Sequence, residues 1–479
     1  MRAFIQAAVE RGRTSISVLL LILVAGALAY QGIPKEANPD VNVPIIYVSL
    51  HHDGISPEDS EKMLVRPIED AVRAIDGVKD MRSNAYQGGG FVLLEFTAGF
   101  DIDQAMDDVR KEVESAKKDL PEDSDEPTVS EVNLSLTPVL VVTVAGDIGE
   151  RELLRYARRL RDEVQAINGV LEANLTGGRD ELFEIIIDPV ALGSYGLDAV
   201  EVLQIFNRSN RLIAAGKLDN GTGSFPIKVP GLFKSADDIL NQPVKVNGDV
   251  VVRLRDLAVA RRVLKDRTRI ARLNGKPALA IEVSKRIGEN IIETNEKVRA
   301  VVATETADWP DGVTVTYSND ESRRIRTMLS DLQNNVTSAI LLVMVIIIAA
   351  LGLRSAGLVG IAIPGSFLLG ILVLSNLGLT MNIVVLFSLI LAVGMLVDGA
   401  IVVTELADRN MANGMDRQSA YIEAAHRMSW PIIASTATTL AAFMPLVFWP
   451  GIVGEFMKFL PITLIATLSA SLLMALIFI

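Results

Sequence analysis

The sequence contains no cysteine and only three histidines, His51, His52 and His426. The first absence excludes a disulfide-stapled scaffold, thiol catalysis and Cys-ligated zinc or iron–sulfur centres. The second leaves little for imidazole ligation, and His51-His52-Asp53 reads as an exposed strand end, so no resident metal and no cofactor is expected. No Walker-type phosphate loop is present: Gly88-Gly89-Gly90 has no Lys-Ser/Thr and no helix directly after it, and reads as a turn before a strand at Phe91. Basic residues are in deficit, 46 Lys and Arg against 58 Asp and Glu. The resulting net charge of −12 is opposite to the clustered positive charge that a nucleic-acid partner needs. A Gly-X-Y period and sustained heptads are also missing, which excludes collagen and coiled coil.

What is present is apolar mass beside abundant charge. Half of the 479 residues are hydrophobic, 22% are charged, and the mean hydropathy is +0.35. A soluble enzyme rarely reaches that hydropathy, yet so many charges cannot lie in lipid, so a sizeable soluble part is joined to several membrane spans. Residues 14–30 form a first apolar stretch, close to the ~20 residues that cross a bilayer as a helix. Four more lie at 336–353, 357–377, 382–406 and 430–449, and a sixth begins near Phe459 and runs to Ile479. That last run has no flanking charge or loop, the pattern of a truncated sixth span in a fragment. Arg2, Arg11, Arg13, Arg354, Arg409, Arg417 and Arg427 fall on one side of the spans, and the connections on the other side are almost uncharged. The bias of basic residues places the N-terminus in the cytoplasm and roughly 31–335 outside the inner membrane. Ala27-Leu28-Ala29 also fits a signal-peptide cleavage site, an alternative that leaves the soluble part exported all the same.

The exported part repeats itself. Val72-Arg73-Ala74-Ile75-Asp76-Gly77-Val78 returns as Val164-Gln165-Ala166-Ile167-Asn168-Gly169-Val170. Each copy closes an amphipathic helix, with Ile68, Val72 and Ile75 on one apolar face and Leu160, Val164 and Ile167 on the other. Each then sets a glycine where a helix ends in a left-handed turn before a strand. Around the first copy the spacing predicts strand 44–50, helix 57–75, strands near Met81 and at 91–96, and helix 102–120, the order of a ferredoxin-like split β-α-β unit. The second copy opens with strand 139–144 and helix 152–167. It is then interrupted over about 183–268, a region with its own helix at 197–207 and a Gly/Pro-rich arm at 219–233. Helix 290–306 and strand 313–317 look like the delayed second half.

The fourth span carries Asp398, about two-thirds of the way along an otherwise apolar helix. An ionised carboxylate there costs on the order of 2.5–3.5 kcal/mol, so it must face protein or water. Desolvation favours its neutral form and a nearby cation its charged form, and a group between those pulls can load and release a proton. A buried Asp that only bonds a neighbouring helix is the plainer alternative. Glu405, two turns along the same face, is a possible second member, although Arg409 four residues on favours an interfacial salt bridge. Gly394 and Gly399 flank Asp398 and read as close-packing positions between helices. Met344, Met381, Met395 and Met444 share no spacing and read as core filling, not as a soft-metal path.

These residues resemble the N-terminal half of a resistance–nodulation–division (RND) efflux transporter, over nearly the whole chain. The resemblance is carried by Gly394-Met395-Leu396-Val397-Asp398-Gly399-Ala400-Ile401-Val402-Val403 with Glu405, the helix through Arg417 to His426, and Ala441-Ala442-Phe443-Met444-Pro445. Tyr195-Gly196-Leu197, Asn210, Ala214-Ala215-Gly216 and Asn274-Gly275-Lys276-Pro277-Ala278 add to it. It implies an α-helical membrane bundle plus periplasmic α/β (α+β) ferredoxin-like porter subdomains with an inserted docking subdomain. The implied parts are an N-terminal segment with the first span (1–30), porter subdomain 1 (40–135), porter subdomain 2 (136–182 and 269–325), docking subdomain (183–268) and spans two to six (336–479). The implied activity is proton-driven export by a secondary transporter, not an enzyme, working as a homotrimer with a periplasmic adaptor and an outer-membrane channel, among membrane lipids and without nucleic acid. Asp398 matches the family's proton-carrying aspartate, whereas the second Asp of many drug exporters is Gly399 here. That single carboxylate resembles metal-exporting branches and leaves metal-ion export open beside small-molecule export. A proton-driven helper of Sec-type protein export is a further alternative. Positions matching the family's drug-pocket phenylalanines read as Val139 and Thr176, the expected substrate contacts.

Overall fold

The computed structural model describes residues 2–39, 42–97, 100–133, 137–210, 213–219, 224–229, 233, 235–247, 250–267 and 269–478. Of the predicted arm at 219–233, residues 220–223 and 230–232 lie outside the described residues; its flanks, Ile213–Asp219 and Ser224–Val229, pair as an antiparallel hairpin.

Two four-stranded arrangements of the same topology make up most of the soluble part. In the first, the strands run Val78–Tyr86, Gly89–Phe96, Asn42–His51 and Thr128–Asn133 across the sheet, all neighbours antiparallel. This is the strand order of a split β-α-β fold. In the second, Val170–Thr176, Lys276–Lys285, Leu140–Gly146 and Val313–Ser318 take the same order. The alternation of apolar residues fixes which face is covered: Ile46, Val48, Leu50, Val92 and Leu94 point to one side, where Ile68, Val72, Val109 and Val113 of the helices meet them. Leu140, Val142, Val144, Ile281 and Val283 do the same beneath Leu160, Val164, Val298 and Val302. Gly77 and Gly169 both have positive φ, +85° and +102°, and each carbonyl accepts from the residue after a central strand, Thr97 and Arg286 respectively. The strand Thr128–Asn133 was not anticipated, and the first helix is locally loosened to a π turn over Glu61–Val65.

Between Val170–Thr176 and Lys276–Lys285 the chain leaves along Glu181–Ile187 and returns along Ala258–Leu264, which pair antiparallel over their whole length. Beyond this two-stranded stalk lies a separate small core of Val202, Ile239, Val244, Leu254 and Leu257. The root of the stalk is tied to the helix Glu150–Gln165 by one carboxylate. Glu150 takes two bonds from the Arg179 guanidinium, at 2.7 and 2.5 Å, and one from Arg267 at 2.9 Å. Arg179 also donates to the Lys265 carbonyl at 3.0 Å, so one carboxylate gathers both ends of the insertion.

Among the described residues six helices are long and apolar enough to cross a membrane. The third, Leu353–Asn376, the fourth, Ile383–Ala412, and the sixth, Val453–Phe478, are half or more buried in their apolar windows, at 50, 56 and 61%. The first, Gly12–Gly32, the second and the fifth are 6–11% buried and turn side chains such as Leu20, Leu21 and Val345 outward, as lipid-facing helices do. Glycines allow the close packing at the centre: a Cβ on Gly26 would meet the Leu368 carbonyl at 2.6 Å, and one on Gly370 would meet Thr467 at 2.6 Å. The second span begins earlier than expected, because Glu321–Leu351 is one helix running from the second sheet into the bundle. A short amphipathic helix, Arg2–Glu10, precedes the first span and buries Ile5 against Val403 and Ala424.

The Arg179 guanidinium, aided by Arg267, holds the Glu150 carboxyl down from 4.5 to about 2. A depressed carboxyl stabilises the fold fully above its unfolded value and loses that contribution as pH falls through the folded one. Glu150→Gln is therefore expected to melt below wild type at neutral pH, with the gap closing as the pH falls from 4.5 to about 2. Thermal scans of both proteins across that range check it, and a gap independent of pH would remove Glu150 as the tie.

Candidate functional site

The fourth span is not one helix. Ile383–Val393 ends at Gly394, and a new helix, Asp398–Ala412, starts four residues later. Asn382 opens the first half by accepting from the Val384 and Val385 amides at 3.1 and 3.0 Å. The break frees backbone groups, and in lipid each must find a partner. The Leu396 carbonyl finds one in the Ser471 hydroxyl of the sixth span, at 2.6 Å and buried. Asp398 thus stands on the first turn of a half-helix, and not two-thirds of the way along a continuous one as the apolar run suggests. There the unpaired amides favour a negative charge by about 0.3–1 kcal/mol, up to ~2 in partly buried settings. That is less than the ~2.5–3.5 kcal/mol cost of a carboxylate at membrane depth, so further polar surroundings are required.

A cavity of about 260 Å³ supplies them. Asp398, Gly399 and Met395 form one wall, Ser435, Thr436 and Thr439 of the fifth span another, and Ser471 of the sixth a third. Among the described residues the Asp398 carboxylate has no hydrogen bond or ion pair, and it is exposed to this cavity. The four hydroxyl side chains were missed from the sequence, although the run Ser435-Thr436-Ala437-Thr438-Thr439 is unusually polar for a span.

The two flanking glycines differ. A Cβ on Gly399 would meet Ile432 at 3.2 Å and Ala475 at 3.3 Å, so this position does admit two neighbouring helices. At Gly394 a Cβ would meet nothing within 4 Å; this glycine marks the break and does not serve helix packing within the chain. Glu405 lies outside the cavity and pairs with Arg409 at 3.5 Å, both side chains more than half exposed. Asp398 and Glu405 stand two turns apart on the one helix Asp398–Ala412, so the break does not separate them; what sets Glu405 apart is its place outside the cavity.

Val139 and Thr176 are not brought together. Val139 is buried with Ile291 and Ile325, its amide donating to the Val283 carbonyl at 2.8 Å. Thr176 flanks the other side of the same strand, opposite Ala280, and its hydroxyl donates to that residue's carbonyl at 3.3 Å. The small cavity beside Val139 is lined by charged residues, among them Glu36, Lys285, Glu321 and Arg324, and Thr176 has no part in it.

The sequence profile of the AcrB/AcrD/AcrF family matches residues 4–479. The chain is 27% identical over 472 residues to multidrug resistance protein MdtC of Pectobacterium carotovorum subsp. carotovorum (strain PC1), covering 98% of this chain and 46% of that protein. It is 26% identical over 468 residues to the MdtC of Pantoea ananatis (strain AJ13355), covering 97% and 46% respectively. The MdtC of Escherichia coli O127:H6 is 26% identical over 472 residues, covering 98% and 46%. The chain therefore spans about half the length of the curated relatives it matches, 46% in each case. With six apolar spans and the basic residues gathered on one side, it is a multi-pass inner-membrane protein with a large periplasmic domain.

Gly399→Leu is expected to cost about 1–3 kcal/mol through overpacking against Ile432 and Ala475. Gly394→Ala, with open space around it and an ordinary φ of −65°, leaves stability unchanged. Thermal unfolding of both variants in detergent checks the contrast; similar losses in the two would show that these contacts do not set the packing beside Asp398.

Proposed function

The chain belongs to the AcrB/AcrD/AcrF family, and on that premise we propose that it forms part of a proton-driven secondary transporter, not an enzyme, that exports small molecules from the periplasm or inner membrane. The observation that carries this reading is the placement of Asp398 at a helix break beside a hydroxyl-lined cavity. Ionised, the carboxylate is favoured by the field of the half-helix amides and by the polar cavity it faces. Protonated, it loses the attraction to the amides and no longer needs the polar wall, so the half-helix Asp398–Ala412 is free to take another angle to Ile383–Val393. A bias of about 1–2 kcal/mol between the two arrangements shifts their ratio roughly 5–30-fold. Asp398 is thus the proton-carrying residue, the hydroxyls of Ser435 and Thr436 across the cavity are the groups placed to stabilise its charged form, and Glu405 remains an interfacial partner of Arg409.

The soluble parts follow the same reading. Residues 40–135 are porter subdomain 1, 136–182 with 269–325 are porter subdomain 2, and 183–268 are the docking subdomain on its stalk. The assembly is a homotrimer that meets a periplasmic adaptor and an outer-membrane channel. Small-molecule export is favoured over metal-ion export and over assistance to Sec-type export by the name of the relatives, multidrug resistance proteins. No substrate contact is assigned to Val139 or Thr176, which lie on opposite sides of one strand.

The test is substrate accumulation in cells expressing the complete gene product, wild type or Asp398→Asn, with and without a proton uncoupler. Asp398→Asn is expected to raise accumulation to the level of uncoupled wild-type cells at unchanged expression. Export that survives the substitution and still responds to the uncoupler would place proton entry elsewhere.

A further inference from the structure

A second charged site lies where the bundle meets the soluble part, and the reaction scheme above does not use it. Glu36, 1% exposed, and Lys285, 3% exposed, form an ion pair across 249 residues of sequence. The remaining capacity of the carboxylate is filled from two directions. Its Oε1 also accepts from the Gly288 amide at 3.1 Å, and its Oε2 accepts from the Thr380 hydroxyl at 2.8 Å. Lys285 in turn donates to the Arg286 carbonyl at 3.1 Å. One carboxylate, in the segment just beyond the first span, therefore touches the loop between the third and fourth spans and the end of a strand of the second sheet with the turn after it.

The repeat places an apolar residue where this unit has the charge. Lys285 closes its strand opposite Val170, as Phe96 does opposite Val78 in the first copy. The next residues, Arg286 and Thr97, donate to the left-handed Gly169 and Gly77. The caps of the following helices, Asn290 and Asp101, both come five residues after these strand ends. The same buried position is Phe in one unit and Lys in the other. Burying an ion pair costs several kcal/mol per ion before its attraction repays it, and apolar residues of similar size are often as stable or better. The substitution occurs in the copy that contacts the membrane loop.

That loop leads straight to Asp398. Met381 brackets the segment with two backbone bonds, its carbonyl accepting from Glu36 N at 3.1 Å and its amide donating to Pro34 O at 2.8 Å. Asn382, fully buried, then caps Ile383–Val393, an 11-residue rod of about 16 Å that ends at the break. On the other side, Ile291 donates to the Lys35 carbonyl at 3.0 Å and opens the helix Ile291–Glu305 of the second unit.

We propose that Glu36, Lys285 and Thr380 are positioning residues that pass the state of the fourth-span break to the helix Ile291–Glu305, so that this ion pair couples proton loading to movement of the second α/β unit. The proposal rests on Asp398 as the proton-carrying group. It is tested by hydrogen exchange on the complete gene product, comparing wild type with Asp398→Asn, each with an intact pair and with Glu36→Gln/Lys285→Met. With the pair intact, Asp398→Asn is expected to change exchange in both Ile383–Val393 and Ile291–Glu305. With the pair neutralised, the change in Ile383–Val393 persists and that in Ile291–Glu305 is lost. A change that still reaches Ile291–Glu305 would make the pair merely structural and overturn the proposal. So would the absence of any change there with the pair intact. In that case export dependent on Asp398 leaves the transport reading standing, and export independent of it removes both. Should the double variant melt well below wild type, Thr380→Val, which cuts only the bond from the loop, gives the same readings in a protein with no unpaired charge.

Discussion

The buried contact between Glu36 and Lys285 joins the segment that follows the first span to the second α/β unit and, through Thr380, to the loop before the fourth span. Two ions withdrawn from water cost several kcal/mol each, against a net stability of about 5–15 kcal/mol for an ordinary domain. Such a pair persists where its ions find further partners, and here Glu36 also accepts from Gly288 and Thr380 while Lys285 also donates to the Arg286 carbonyl. Separating the second unit from the bundle would leave both charges without partners. The junction is therefore an all-or-none contact, unlike the exposed pairs such as Glu405 with Arg409. Lys35, beside it, donates to the Tyr30 and Gln31 carbonyls at 2.9 and 2.7 Å and closes the first span, so the turn out of the membrane is fixed as well.

Stiffness at that end sets off the looseness at the middle of the fourth span. The third and sixth spans approach closely through Gly370 and Thr467, and the first and third through Gly26 and Leu368. These contacts hold a scaffold against which the half-helix Ile383–Val393 is packed, with Val385, Leu386 and Leu389 fully buried. At the break the packing is looser: Gly394 opens onto space, and a cavity lies between Asp398 and Ser435, Thr436 and Thr439 of the fifth span. A change of charge at Asp398 thus acts where the structure can yield, and one neighbour that would register it is Ser471, already bonded to the freed Leu396 carbonyl.

Much of this was legible in the sequence where a period or a repeat carried it. Helix and strand alternation placed the two α/β units, the glycines after Asp76 and Asn168 marked the left-handed turns, and apolar length located the spans. The signal failed where function interrupts regularity. An unbroken apolar run over 382–406 hides a broken helix, because hydropathy measures the side chains and not the backbone ladder, and one glycine in a span is more often a packing position. Gly394 and Gly399 looked alike for that reason, yet only Gly399 meets neighbouring side chains. Glu36 and Lys285 were invisible for another reason. Each is one of many charges in the sequence, and only the tertiary fold brings them together across 249 residues. Thr128–Asn133 was overlooked since it is short and follows Pro127, where an alternating pattern has little room to show.

The two α/β units differ where they meet the membrane, and the difference has a mechanical sense. The helix Ile102–Ala116 of the first unit is held by its own sheet through Ala105, Val109 and Val113. Its counterpart Ile291–Glu305 is held by its sheet too, through Val298 and Val302, but is also gripped at its N-terminus by the Lys35 carbonyl and along its length by Asp320. Asp320 accepts from Asn295 at 2.9 Å and from Arg299 at 2.5 Å while capping the second span through the Ser322 amide at 3.1 Å. One helix is thus tied to the ends of two different spans. Any displacement of the first-span end relative to the second must rotate it or break a buried bond, and rotation is the cheaper response because a buried group left unpaired costs about 1–3 kcal/mol. Because Val298 and Val302 seat that helix on the strands Leu140–Gly146 and Lys276–Lys285, its rotation carries the sheet and the stalk rooted beside it. A duplicated fold needs such an arrangement in only one copy, which accounts for a lysine at the position that the other copy fills with Phe96.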